Sequence, residues 1–92
     1  VFYRGEWKNG KLDGSGEIVF ANGRKYEGEF REGFFNGKGK MFNADGSLYY
    51  DGEFKNNLRD GFGISYSENG GAYEAFWSKN KIVEGTWKRV IY

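Results

Sequence analysis

Three stretches of the chain are copies of one template, and this repetition limits the possible folds more than any single residue does. YRGEWKNGKLDGSG starts at Tyr3, YEGEFREGFFNGKG at Tyr26 and YYDGEFKNNLRDGFG at Tyr49. Counted from the leading tyrosine of each unit, Tyr3, Tyr26, Tyr50 and Tyr73 are 23, 24 and 23 positions apart. A fixed period of this size marks a repeat architecture, in which one supersecondary unit cannot bury its apolar face alone and relies on its neighbours. The units run over about residues 3–25, 26–49, 50–72 and 73–92 and make one domain of the 92 residues. The chain opens at Val1 already inside the pattern, as expected for a piece of a longer protein.

Within a unit the periodicity is that of strands. Sixteen glycines are spread through the repeats, and each costs about 1 kcal/mol in a helix interior. Apolar residues alternate instead: Tyr3, Gly5 and Trp7 share one strand face, as do Tyr26, Gly28 and Phe30, then Tyr50, Gly52 and Phe54. Arg4, Glu6, Glu27, Glu29, Asp51 and Glu53 take the other face. Asn9-Gly10, Gly33 and Asn56-Asn57 then turn the chain, because glycine and asparagine accept positive φ at low cost. The second strand is expected to open at Gly14-x-Gly16, Gly37-x-Gly39 and Gly61-x-Gly63. It is expected to close at type I′ turns at Asn22-Gly23, Asp45-Gly46 and Asn69-Gly70. Each unit is thus a β-hairpin. Bare glycine backbone in a strand calls for a covering side chain, and nineteen aromatics are available to supply it, the rings of one repeat over the glycines of a neighbour.

Composition removes several function classes. There is no cysteine and no histidine, hence no disulfide framework, no thiolate nucleophile, and neither the commonest general base nor the commonest metal ligand. A net charge of +1 does not fit a strongly basic nucleic-acid binder, and the aromatics interleave with acids rather than with a basic stripe. The Gly-x-Gly pairs lack the following helix and lysine pattern of a phosphate loop. No apolar run approaches the roughly 18 residues of a membrane helix. The expectation is a cytoplasmic protein without catalytic residues, cofactor or metal.

Together, the Y-x-G-E-[WF] core, the Gly-x-Gly pair and the closing [AN]-[DN]-G turn resemble the MORN repeat, the membrane occupation and recognition nexus motif. The resemblance spans almost the whole chain and is strongest in the first three units. The fourth departs: Ala75 replaces the glycine, Phe76 the acid, and Glu84-Gly85-Thr86-Trp87 the Gly-x-Gly pair. That ending, YEAFWSKNKIVEGTW, resembles the divergent closing repeat of short MORN proteins of cilia and flagella, with Val90, Ile91 and Tyr92 as a last strand capping the array. The resemblance implies an all-β, elongated, single-layer antiparallel sheet of consecutive hairpins with a curved, grooved face. It further implies a scaffold or protein-interaction module of the cytoskeleton or axoneme. The alternative it carries is a phosphoinositide-binding or membrane-associated regulatory module of a larger protein.

The candidate partner-binding residues follow from exposure arguments. A one-layer sheet does not hide both faces, so Tyr26, Phe30, Tyr50 and Phe54 are packing residues that also line a groove for a protein segment. Glu29 and Glu53, with Glu6, form a ladder of carboxylates suited to basic partners rather than to catalysis. Phe34 and Phe35 place two aromatics at a hairpin tip, where they either fold back over a neighbouring loop or dock into a partner. The two end units are basic and the middle two acidic, and a lipid reader would need its basic residues clustered.

Overall fold

Alternation of charged and apolar residues over seven to nine positions gives a ribbon of strands. The computed structural model describes residues 1–67 and 71–90. Among these it contains no helix and nine strands: β1 (Phe2–Lys8), β2 (Lys11–Val19), β3 (Lys25–Arg31), β4 (Phe34–Phe42), β5 (Leu48–Lys55), β6 (Leu58–Tyr66), β7 (Ala72–Ser78), β8 (Lys81–Ile82) and β9 (Lys88–Val90). They form one antiparallel sheet in sequence order from β1 to β8, with β9 also pairing β7. Seven gaps of about 4.8 Å between eight strands span about 34 Å, so the 41 Å axis of the 41 × 26 × 19 Å molecule runs across the strands.

The turns within units share one geometry. Asn9-Gly10, Glu32-Gly33, Asn56-Asn57 and Lys79-Asn80 each hold two successive residues at positive φ, from 49° to 86°, as a two-residue I′ hairpin requires. The turns between units differ from expectation. Only the glycine of Asn22-Gly23 and Asp45-Gly46 has positive φ. The Gly23 amide donates to the Phe20 carbonyl at 2.9 Å and the Gly46 amide to the Asn43 carbonyl at 3.0 Å. A wider turn closed by a left-handed glycine forms there because Asn22 and Asp45 turn their side chains onto the amides of Arg24 and Ser47. The expected turn at Asn69-Gly70 lies outside the described residues. The second strands begin at Lys11, Phe34 and Leu58, so the Gly-x-Gly pairs sit in mid-strand rather than at strand entry.

That position matters, because the glycines align across the whole sheet: Gly5 opposes Gly16, then Gly28, Gly39, Gly52, Gly63 and finally Ala75. The rings of Tyr26 and Tyr50 lie on this row. A Cβ on Gly39 would run into the Tyr26 ring and one on Gly63 into the Tyr50 ring. Both tyrosines thus cover glycines of their own repeat, while Phe30 reaches the preceding repeat, where it would meet a Gly16 Cβ at 3.2 Å. Tyr26 and Tyr50 have no exposed surface, and their hydroxyls donate to the Glu29 and Glu53 carbonyls at 2.8 and 3.2 Å.

Rings then link unit to unit. Tyr26 stacks on Phe35 at 3.9 Å and meets Phe30 and Phe54 edge-on at 5.1 and 5.0 Å. Tyr50 in turn meets Phe54 and Trp77 at 5.1 and 5.6 Å. Arg59 lies over Trp77, 4.3 Å from its centroid, and Leu12 and Ile18 complete the cluster. The turn tips add a second set of links. The amides of Gly33, Asn57 and Asn80 donate to the carbonyls of Leu12, Phe35 and Arg59 in the preceding unit. The Asn57 and Asn80 side chains accept from the Phe35 and Arg59 amides, both at 2.8 Å.

In the last unit the second strand is broken. Gly85 turns the chain with φ of 82°, and the Thr86 hydroxyl accepts from the Phe76 amide at 3.2 Å, so β8 and β9 both pair with β7. Val90 ends β9; Ile91 and Tyr92 lie outside the described residues.

A methyl on Gly39 has no room beneath the Tyr26 ring, so Gly39→Ala is expected to lower the unfolding free energy by about 1–3 kcal/mol in urea titration. The phenol pKa of Tyr50 is pushed up to about 12, mainly by burial and also by the nearby Glu53 charge, against an opposing pull from Arg59. Burial pushes Tyr26 up as well. Because the folded pKa values lie above the ordinary value of about 10, the neutral phenols contribute their stability in full below pH of about 10. That contribution is lost as pH rises through about 12. Urea midpoints measured from pH 9 upward (about one unit below the ordinary phenol pKa) should fall in step with phenolate absorbance.

Candidate functional site

With the rings packed on one face, the other face is the open one. Its side chains come from the alternate positions of the same strands and oppose one another in two rows. One row reads Arg4, Glu17, Glu27, Lys40, Asp51, Ile64, Glu74 and Lys88. The other includes Ser15, Glu29, Lys38 and Glu53, and farther along Phe62 opposite Phe76. Between them the glycine backbone leaves a shallow groove of about 630 Å³, lined by Arg4, Glu17, Glu27, Glu29, Lys38, Lys40 and Asp51. A neighbouring hollow shares Lys38 and Asp51 and leads to Glu53, Phe62 and Ile64.

Charges of both signs line the groove. Arg4 donates to Glu17 at 2.7 Å, and this hydrogen bond, the largest influence, holds the Glu17 carboxyl below the usual carboxylate range. Lys25 bridges Glu17 and Glu27 at 4.0 and 3.4 Å. Among the described residues, no ion pair within 4.0 Å engages Lys38, Lys40 or Asp51. The apolar end is equally open: Phe62 and Phe76 form an edge-to-face pair at 5.5 Å yet stay 39% and 53% exposed. A surface of unpaired charges leading to an exposed aromatic pair can hold a peptide segment, with charges setting register and the rings supplying an anchor.

The eight residues singled out by sequence are separated by this geometry. Tyr26, Phe30, Phe35, Tyr50 and Phe54 are buried together on the packed face, so the groove is lined by charges and glycine backbone rather than by rings. The Phe34-Phe35 pair divides: both stand on β4 rather than in the turn, Phe34 46% exposed and Phe35 stacked inward on Tyr26. Glu29 and Glu53 do lie on the open face, but their carboxylates reach back to the following strand. The Lys38 amide donates to Glu29 and the Phe62 amide to Glu53 at 2.6 Å, and in the first unit the Ser15 amide donates to Glu6 at 3.2 Å. Each glutamate satisfies an amide freed where the second strand carries extra residues against the first. Lys38, Lys40, Asp51, Ile64, Phe62 and Phe76 were not singled out. Strand alternation places them on the face opposite Tyr26 and Tyr50, and that parity was the signal available.

A family model described as MORN repeat matches the chain at residues 3–23, 26–48 and 50–72. No curated protein matches it.

Glu29→Ala leaves the Lys38 amide without its acceptor. The variant is expected to lose about 1 kcal/mol of stability and the hydrogen-exchange protection of that amide. Glu29→Gln, which keeps an acceptor oxygen, should retain most of both. Unchanged exchange at Lys38 in the alanine variant would contradict the latch.

Proposed function

We propose, since the chain belongs to the MORN-repeat family, that it is a scaffold whose open face holds a segment of another protein. The repeats of this family are non-catalytic modules, and the chain is a repeat-based interaction module accordingly. The single observation that carries the reading is the open face itself. Lys38, Lys40 and Asp51 are free of ion pairs among the described residues, and Lys38 and Asp51 share a hollow with Phe62 of the exposed Phe62–Phe76 pair. The partner segment would carry charges complementary to this row and an apolar side chain at the Phe62 end, in extended or helical form. The buried rings pack the sheet from beneath, and Glu29 and Glu53 hold the local geometry of the groove floor.

The setting proposed is cytoskeletal, the axoneme of a cilium or flagellum, and it is supported by the resemblance of the closing YEAFWSKNKIVEGTW stretch. The phosphoinositide reading has weaker support, because the groove cations Arg4, Lys38 and Lys40 are interleaved with Glu17, Glu27, Glu29 and Asp51, whereas an anionic membrane attracts clustered basic residues.

Crosslinking mass spectrometry on the native assembly should link Lys38 or Lys40 reproducibly to one segment of another protein. Phe62→Ser with Phe76→Ser changes only exposed rings, so the circular dichroism spectrum should be unchanged while partner affinity falls by about tenfold or more. Flotation with anionic vesicles that weakens as salt rises, without a crosslinked protein, would favour the lipid reading.

A further inference from the structure

One position changes character from unit to unit while the backbone around it stays the same. The middle residue of the Gly-x-Gly pair is Ser15, then Lys38, then Phe62, and each is exposed on the open face. The glycine before each has φ of 102°, 104° and 105°. A side chain on Gly14, Gly37 or Gly61 would be strained at that φ and would run into the carboxylate of Glu6, Glu29 or Glu53. Those same glutamates accept from the Ser15, Lys38 and Phe62 amides. The glycine after each, Gly16, Gly39 and Gly63, belongs to the aligned row. One frame therefore holds out a small hydroxyl, a cation and an aromatic ring in turn.

The three side chains form a line across the strands. Ser15 stands on β2, Lys38 on β4 and Phe62 on β6, so each step crosses two strand gaps, about 9.6 Å. The groove joins Ser15 to Lys38, and the neighbouring hollow joins Lys38 to Phe62. A segment lying along this line meets all three if its side chains return to one side at the same interval. In a polyproline II helix, with three residues per turn, every third side chain returns after about 9.3 Å. A β-strand turns every third residue to its other side. An α-helix returns after seven residues and about 10.5 Å, and is about 2 Å out of step after two intervals.

Chemistry at the three points sets the segment's composition. Lys38 and Lys40 have no ion pair within 4.0 Å among the described residues, whereas the flanking Glu29 and Glu53 each have an oxygen committed to a backbone amide. The middle point thus suits a carboxylate. Phe62, paired with Phe76 at 5.5 Å, suits an apolar side chain, and Ser15 a small polar one.

We propose, building on the reading of the open face as a protein-binding surface, that the middle residue of each Gly-x-Gly is where a repeat recognises its partner. The partner segment is a polyproline II stretch with an apolar residue, an acid three places along and a small polar residue three places further, in either chain direction.

The probes are two peptides capped at both ends, Leu-Pro-Pro-Glu-Pro-Pro-Ser and the same residues in reverse order, titrated against this chain. At least one should bind, and moving its glutamate by one place should weaken binding by about tenfold or more. Lys38→Glu should exchange the preference, rejecting the glutamate peptide and accepting one with lysine in its place. Phe62→Ser should remove the preference for leucine and leave that for glutamate. Circular dichroism of each variant checks the fold. Tighter binding of a helical peptide with leucine, glutamate and serine seven residues apart, indifference to the place of the glutamate, or no exchange in Lys38→Glu would overturn the proposal. If no peptide binds while Lys38 or Lys40 still crosslinks to a protein segment in the native assembly, the proposed segment is wrong and the scaffold role stands. If neither is seen, both fail.

Discussion

A tyrosine ring laid across bare backbone supports the rest of the sheet. Tyr26 and Tyr50 occupy the space that side chains on Gly28, Gly39, Gly52 and Gly63 would have filled, which is why glycine, a poor strand former in isolation, lines up in every described strand from β1 to β6. Without the rings of Phe30, Tyr26 and Tyr50 the row from Gly16 to Gly63 would be five gaps in the packing. Without the glycines the rings would stand off the sheet and lose their hydrogen bonds to the Glu29 and Glu53 carbonyls. The two features depend on each other, so they recur together at the repeat period.

From that pairing the division of labour between faces follows. Once aromatics are drawn down onto the glycine row, Phe54 is close enough to touch both Tyr26 and Tyr50, and the packed face becomes a continuous strip of rings. The opposite face is left with charges and a floor without side chains. A single layer therefore serves as core on one side and as contact surface on the other, with Glu29 and Glu53 stitching each hairpin from the contact side.

Much of this was legible in the sequence, but only within a unit. The period, the strand alternation and the two-residue turns at Asn9-Gly10 and Asn56-Asn57 are local properties, and the structure has them. What was not legible depends on the unit next door. Asn57 reads as a turn residue, yet its side chain also caps the Phe35 amide of the preceding repeat. Arg59, two residues past that turn, covers Trp77 of the following one. Phe34 and Phe35 are chemically identical neighbours whose fates differ by strand parity alone, which requires knowing that β4 starts at Phe34.

The long axis running across the strands has a mechanical meaning. Tension between the two ends of the array acts along the inter-strand hydrogen bonds, so it opens the sheet like a zipper, one strand pair at a time, instead of shearing many bonds at once. Each released unit of about 23 residues adds roughly 75 Å of extended chain at about 3.3 Å per residue. A sheet loaded this way yields gradually and lengthens in steps.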